Sequence, residues 1–110
     1  MSARRSSLRL TREADRDLLD ILLYTRRNWG QAQEATYRSA ITQVLRIIRT
    51  FPESGQPRDD LFPGYRSIHV GQHVIYDHQP DPTTIVAQRI LHIRQDVNAA
   101  LGKPAPPEGG

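Results

Sequence analysis

Apolar positions follow two rhythms along this chain, a helical one in the first half and a two-residue alternation in the second. Ala14, Leu18, Ile21, Leu22 and Thr25 recur at spacings of three and four, the repeat of one buried helix face. Thr11 is the N-cap this pattern needs, and Glu13, Asp15 and Asp17 put negative charge near the positive end of the helix dipole. Trp29-Gly30 ends the helix, with Gly30 as its left-handed C-terminal residue and Trp29 expected to anchor that end in the core. A second helix runs from about Gln31 to Thr50, carries Ala32, Ala35, Ala40, Ile41, Val44, Leu45 and Ile48, and stops at Phe51-Pro52. Its small first residues predict a close approach to helix 1 near the connection. Leu19, Leu23 and Tyr24 make the stripe of helix 1 wider than one core face requires.

The second half alternates. Pro63 to Tyr76 reads as a β-hairpin in which Gly71 takes the positive φ of a type II′ turn and Gln72 follows it. That turn fixes the register: Val70 faces His73, Ile68 faces Ile75 and Arg66 faces Asp77, the last closing its face with an ion pair. Ile68, Val70 and Ile75 then point to the core, and Tyr65, Ser67, His69, Val74, Tyr76 and His78 to the other side. Thr83 to His92 is β-branched and aliphatic enough for a central strand after the Pro80-Asp81-Pro82 turn. With a short strand at Ser7–Leu10, the class is α+β: an N-terminal strand, a two-helix hairpin, then a three-stranded antiparallel meander with the helices on one face of the sheet. The Pro52–Pro63 loop, rich in turn formers around Leu61-Phe62, reads equally as a functional loop or a connector. Residues 1–98 form the expected domain and 99–110 a disordered tail, because the Pro- and Gly-rich stretch from Lys103 supports neither helix nor central strand.

Composition bounds the rest. A chain of 110 residues that is 37% hydrophobic builds one modest core. Cysteine is absent, which excludes a disulfide framework or a cysteine metal site and fits a reducing cytoplasm. No apolar run reaches membrane-spanning length, so a soluble cytoplasmic protein with no membrane partner is expected. The net charge of +3 favours an acidic partner. Lys103 is the only lysine, and arginine binds carboxylates and phosphates alike, so composition does not choose between an acidic peptide and RNA. The histidines do not make a metal site: the hairpin register sends His69 and His73 to opposite faces, as it does His73 and His78, and leaves His69 and His78 about 13 Å apart.

Leu10-Thr11, Ala14, Asp17-Leu18, Ile21, Tyr24, Trp29-Gly30, Ala35, Tyr37, Phe51-Pro52, Gly55, Pro63-Gly64-Tyr65-Arg66, Val70-Gly71, Ile75-Tyr76, Ile90-Leu91-His92, Arg94 and Asp96 together resemble the ParE branch of the ParE/RelE toxin superfamily. The resemblance spans about residues 7 to 98. It implies a bacterial type II toxin of the plasmid-stabilisation kind, neutralised by a cognate ParD-like antitoxin and directed at DNA gyrase, with no cofactor and no sequence-specific DNA binding of its own. RelE-type relatives instead cleave mRNA on the ribosome. That chemistry needs cations around the phosphate and a Tyr or His near the C-terminus. Here the last tyrosine is Tyr76, and His73 stands where the nuclease branch tends to place an arginine after the hairpin glycine. A remodelled nuclease site would have to be built on Arg66, His73, Arg89, His92 and Arg94. The reading adopted is therefore a target-binding inhibitor with no catalytic residue, in which His92 and Arg94 meet the target and Leu19, Leu23 and Tyr24 meet the antitoxin.

Overall fold

In the computed structural model, which describes residues 6–102, both rhythms form the elements they predict. Strand β1 (Ser7–Leu10) leads into α1 (Arg12–Trp29), and Thr11 accepts the Ala14 N–H at 3.0 Å as its N-cap. Gly30, at φ 94°, turns the chain into α2 (Gln31–Thr50). The sheet continues with β2 (Gln56–Pro57), β3 (Arg66–Val70), β4 (His73–Asp81) and β5 (Thr84–His92), and a short helix, α3 (Val97–Ala100), follows. Strand order is β1-β5-β4-β3-β2, with β1 parallel to β5 and every other pairing antiparallel. The meander thus sits inside a five-stranded mixed sheet.

The hairpin register is the expected one: Arg66 opposite Asp77, Ile68 opposite Ile75, Val70 opposite His73. The next turn is not. β4 continues through Pro80 and Asp81, and the reversal falls at Pro82-Thr83, where the Asp81 carboxylate accepts the Thr83 N–H and hydroxyl at 2.9 Å. Pairing also slips by one residue between Tyr76–Arg89 and Asp77–Ala87, so Gln88 bulges out of β5.

Ile21, Ile41, Ile48, Val70, Ile75, Ile85, Ala87 and Ile90 form the core between the helices and the sheet. On α2 the inward row is Tyr37, Ile41, Val44, Leu45 and Ile48; Ala32 and Ala35 are exposed, so close helix approach through these two alanines does not occur. The sheet's other face is covered as well. Leu61, Val74, Tyr76 and Leu91 are buried there beneath Phe62, Val97, Ala100 and Leu101, which makes the Pro52–Pro63 loop and α3 a second layer. α3 carries the chain past residue 98, with Ala100 and Leu101 packed into this layer, while Lys103–Gly110 lie outside the described residues.

β1 covers only the first part of β5. Beyond Ala87 the open edge is completed by α1: Thr11 donates its backbone N–H to Ala87 O at 3.1 Å and its hydroxyl to Gln88 O at 2.8 Å, and Asp17 accepts the Ile90 N–H at 3.0 Å. Side chains thus take the place of a strand, and an edge that would pair with another chain is satisfied internally.

Candidate functional site

At the tip of the β3–β4 hairpin, Tyr37 reaches from α2 across Gly71. A Cβ on Gly71 would stand 2.7 Å from the Tyr37 ring, and its φ is 56°, so turn and ring contact both require glycine. The Tyr37 hydroxyl donates to Val70 O at 2.9 Å. Its single proton is thereby committed, so the 2.6 Å contact with His73 Nδ1 is assigned as imidazole N–H donating to the phenol oxygen. Burial raises the Tyr37 pKa, with the Gln72 backbone pulling the other way.

His73 lies opposite His92 in the β4–β5 register, and the rings meet edge to face with centroids 5.3 Å apart. Burial and then the charge of His92 push the His73 imidazole below its ordinary pKa, partly opposed by Asp17. His92 in turn holds the chain that follows. Its Nδ1 accepts the Arg94 N–H at 3.1 Å, its own N–H reaches Gln95 Oε1 at 2.9 Å, and Ile93 N–H donates to Gln72 O at 2.9 Å. Arg94 and Ile93 are presented to solvent on this turn.

The residues proposed for a remodelled nuclease site do not assemble. His73 and His92 touch, but Arg66 donates to the carbonyls of Glu53 and Gly55 at 3.2 and 2.8 Å. Arg89 forms a bidentate pair with Asp17 at 2.7 and 2.9 Å and also donates to Ala100 O at 2.9 Å, tying α1 to α3. The expected Arg66–Asp77 ion pair is absent. Asp77 is 2% exposed, its Oδ2 has no hydrogen-bond partner, and burial pushes its carboxyl up to about 7 against the partial relief of the Arg66 charge. The loop carbonyls before β2 compete for the guanidinium and win it.

Leu19, Leu23 and Tyr24 are 57%, 46% and 63% exposed. Leu19, Leu23 and Arg26 share one flank of α1 by helical spacing, and the ladder Arg26–Glu34–Arg38, at 3.9 and 2.7 Å, sets that flank beside α2. Next to it on α2 is a cavity of ≈ 570 Å³ lined by Arg38, Thr42, Arg46, Ile47 and Phe51. Tyr24, about 140° round the helix from Leu19, belongs to the opposite flank with Asp17 and Asp20. Trp29 is 71% exposed and anchors nothing; it overhangs a cavity shared with Thr25, Gln33, Tyr37 and Gln72.

Tyr37 and the Asp17–Arg89 pair do not stand out in the sequence as functional or positioning groups. The signal for Tyr37 is its spacing of four before Ile41, which puts it on the buried face of α2. Asp17 directly precedes Leu18 on the buried side of α1, a place where a carboxylate needs a partner.

A two-helix hairpin on a mixed sheet defines a small α+β fold shared with the structure described as the chromosomal ParDE TA system from P. aeruginosa. That structure superposes with a TM-score of 0.70 at 20% identity, covering 82% of this chain and 98% of the other. The family model described as ParE toxin of type II toxin-antitoxin system, parDE, matches residues 8–97. Toxin ParE1 of Caulobacter vibrioides is 35% identical over 94 residues, 86% of this chain and 96% of the relative, and Toxin ParE of Escherichia coli is 33% identical over 94 residues, 84% and 89%. The chain belongs to the ParE family, toxins of parDE type II toxin–antitoxin systems. None of the described helices is long and apolar enough to cross a membrane.

Proposed function

We propose that this toxin is held inactive in the cytoplasm by direct binding of a ParD-like antitoxin along the outer α1–α2 groove, and that the free toxin inhibits DNA gyrase by binding it. One observation carries the antitoxin half: Leu19 and Leu23 stand exposed on the flank of α1 that Arg26 shares, the Arg26–Glu34–Arg38 ladder joins that flank to α2, and Arg38 and Arg46 line the cavity there. An amphipathic helix with an apolar stripe and carboxylates along its edge complements that surface in both shape and charge. Tyr24, exposed on the opposite flank of α1, lies outside this groove. Leu23→Glu puts a charge in a desolvated contact and is expected to weaken binding of the purified cognate antitoxin by more than about 1 kcal/mol in calorimetry. Unchanged affinity in a folded variant moves the groove elsewhere.

The target half rests on the turn after β5, where the bond from its N–H to His92 Nδ1 fixes the backbone of the exposed Arg94. Arg94→Ala is expected to leave the melting temperature nearly unchanged and to reduce both growth inhibition and inhibition of supercoiling by purified gyrase. Expression without antitoxin is expected to arrest replication and induce the DNA-damage response while bulk mRNA stays intact. The Tyr37–His73–His92 contact favours a second reading, an mRNA endonuclease in which these groups move protons. Arg66 and Arg89 are engaged elsewhere, so Arg94 would be its remaining cation among those considered. Prompt codon-phased cleavage in ribosome profiling would select that reading.

A further inference from the structure

The end of α1, the first turns of α2 and the β3–β4 turn surround a cavity of ≈ 520 Å³ lined by Thr25, Trp29, Gln33, Tyr37 and Gln72. We propose that this cavity binds the adenine base of a nucleotide, stacked on Trp29 and held at its edges by the Gln33 and Gln72 amides. None of its lining residues belongs to the surfaces assigned above to antitoxin or target. The lining is uncharged, although 25% of the chain is charged and the cavities beside α2 and beside the first turns of α1 are both lined with arginine. Such walls suit a neutral ring and disfavour an ion held within them. The volume lies inside the range of about 300–1,000 Å³ typical of small-molecule sites.

The polar groups at the base of the cavity are already spent. Thr25 donates its hydroxyl to Ile21 O at 2.7 Å, and Tyr37 donates to Val70 O at 2.9 Å. Among the described residues no hydrogen bond engages the Gln33 or Gln72 amide, so these two are the free donors and acceptors of the site. They stand on firm supports, Gln33 on α2 and Gln72 on the turn that Tyr37 pins through its contact with Gly71. Trp29, 71% exposed, supplies the aromatic face on which a base stacks. Adenine is the base that fits two carboxamides. It presents a donor beside an acceptor on both free edges, N6–H with N1 and N6–H with N7, and each amide offers the matching acceptor and donor side by side. The other bases offer such a pair on one edge only. Positive charge for an attached phosphate comes from two exposed arginines. Arg26 lies one turn before Trp29, with Glu34 at a loose 3.9 Å, and Arg94 follows Ile93, whose N–H donates to Gln72 O at 2.9 Å.

Trp29 is the only tryptophan of the chain, so its fluorescence reports on the site directly. Adenosine monophosphate added to the purified toxin is expected to quench Trp29 and to shift its indole N–H resonance, with an affinity about ten-fold above that of guanosine monophosphate. Gln33→Ala and Gln72→Ala are each expected to weaken adenosine monophosphate about five-fold. Trp29→Leu, followed by calorimetry, is expected to weaken it about ten-fold. All three positions are exposed, so the melting temperatures are expected to stay near that of the wild type. A short single-stranded oligo(dA) separates the two sources of the base: affinity equal to that of the mononucleotide assigns the site to a free nucleotide, whereas tighter binding that weakens with salt assigns it to a single strand. No saturable quenching by either probe, equal affinity for adenine and guanine, or glutamine substitutions without effect overturns the site. Loss of gyrase binding in Trp29→Leu with no nucleotide bound by the wild type also overturns it and gives the cavity to a segment of the protein target.

Discussion

Two acid–arginine combinations on this sheet end in opposite states. Asp17 and Arg89 are 72 residues apart in sequence and form a two-pronged pair, with the Ile90 N–H as a third donor to the carboxylate. Asp77 and Arg66 are register partners on adjacent strands and do not bond. The difference lies in what else competes. Arg89 projects past the unpaired edge of β5, where Asp17 is the acceptor at hand, and its planar fork matches a carboxylate. Arg66 stands beside the loop that leaves α2 and donates to its Glu53 and Gly55 carbonyls. Register sets which Cα atoms are neighbours; local demand for donors decides where a long side chain goes.

The sharpest way to break this contrast is to remove the unpaired charge. Asp77 titrates at about 7 in the fold against an ordinary value of 3.8. Between those values the folded state binds more protons than the unfolded one, so stability falls as pH rises from about 4 to about 7 and levels off above. The full effect is on the order of 4 kcal/mol, and Asp77→Asn is expected to abolish most of that slope and to stabilise the protein at pH about 8. Urea titrations across pH check this; a wild type equally stable at both ends of the range contradicts it.

Next in size is the satisfied pair. The Arg89 and Asp17 side chains are 20% and 14% exposed, so Asp17→Ala strands a half-buried guanidinium and removes the acceptor of the Ile90 N–H. A loss of about 3 kcal/mol in denaturant unfolding is expected, with faster amide exchange at Ile90. Arg66→Ala is the smallest change, about 1 kcal/mol from two backbone carbonyls left without their donor. It also removes the charge that tempers Asp77, so the Asp77 pKa is expected to rise further, a shift visible in carboxyl carbon titration.

Local rules were legible wherever a few neighbouring residues decide the outcome. Thr11 caps α1, Gly30 and Gly71 take positive φ, and the hairpin pairs Val70 with His73 and Ile68 with Ile75 because a two-residue turn allows one register. Residue type makes Trp29 a candidate core anchor, yet it is 71% exposed and borders a cavity with Gln33, Tyr37 and Gln72. Leu19, Leu23 and Tyr24 together widen the apolar stripe of α1, and the helical repeat sets Tyr24 on the other flank from Leu19. His92 stands out at the end of the last strand; its contact with His73 depends on the pairing of β4 with β5, while its bond to Arg94 is local to the turn.

By itself the sequence determined β1, the two long helices, the three strands of the meander, their order and the family, because periodicity, caps and turn residues act over a handful of positions and the motifs are spread over nearly the whole domain. The tertiary structure alone decided the parallel seat of β1 on β5, the bulge at Gln88, and the second layer of Leu61, Phe62 and α3 over the outer face. It also decided that Asp17 and not Asp77 would have an arginine. Each of these is a competition between groups distant in the chain for the same donor, acceptor or apolar surface, and its result depends on where the fold brings them.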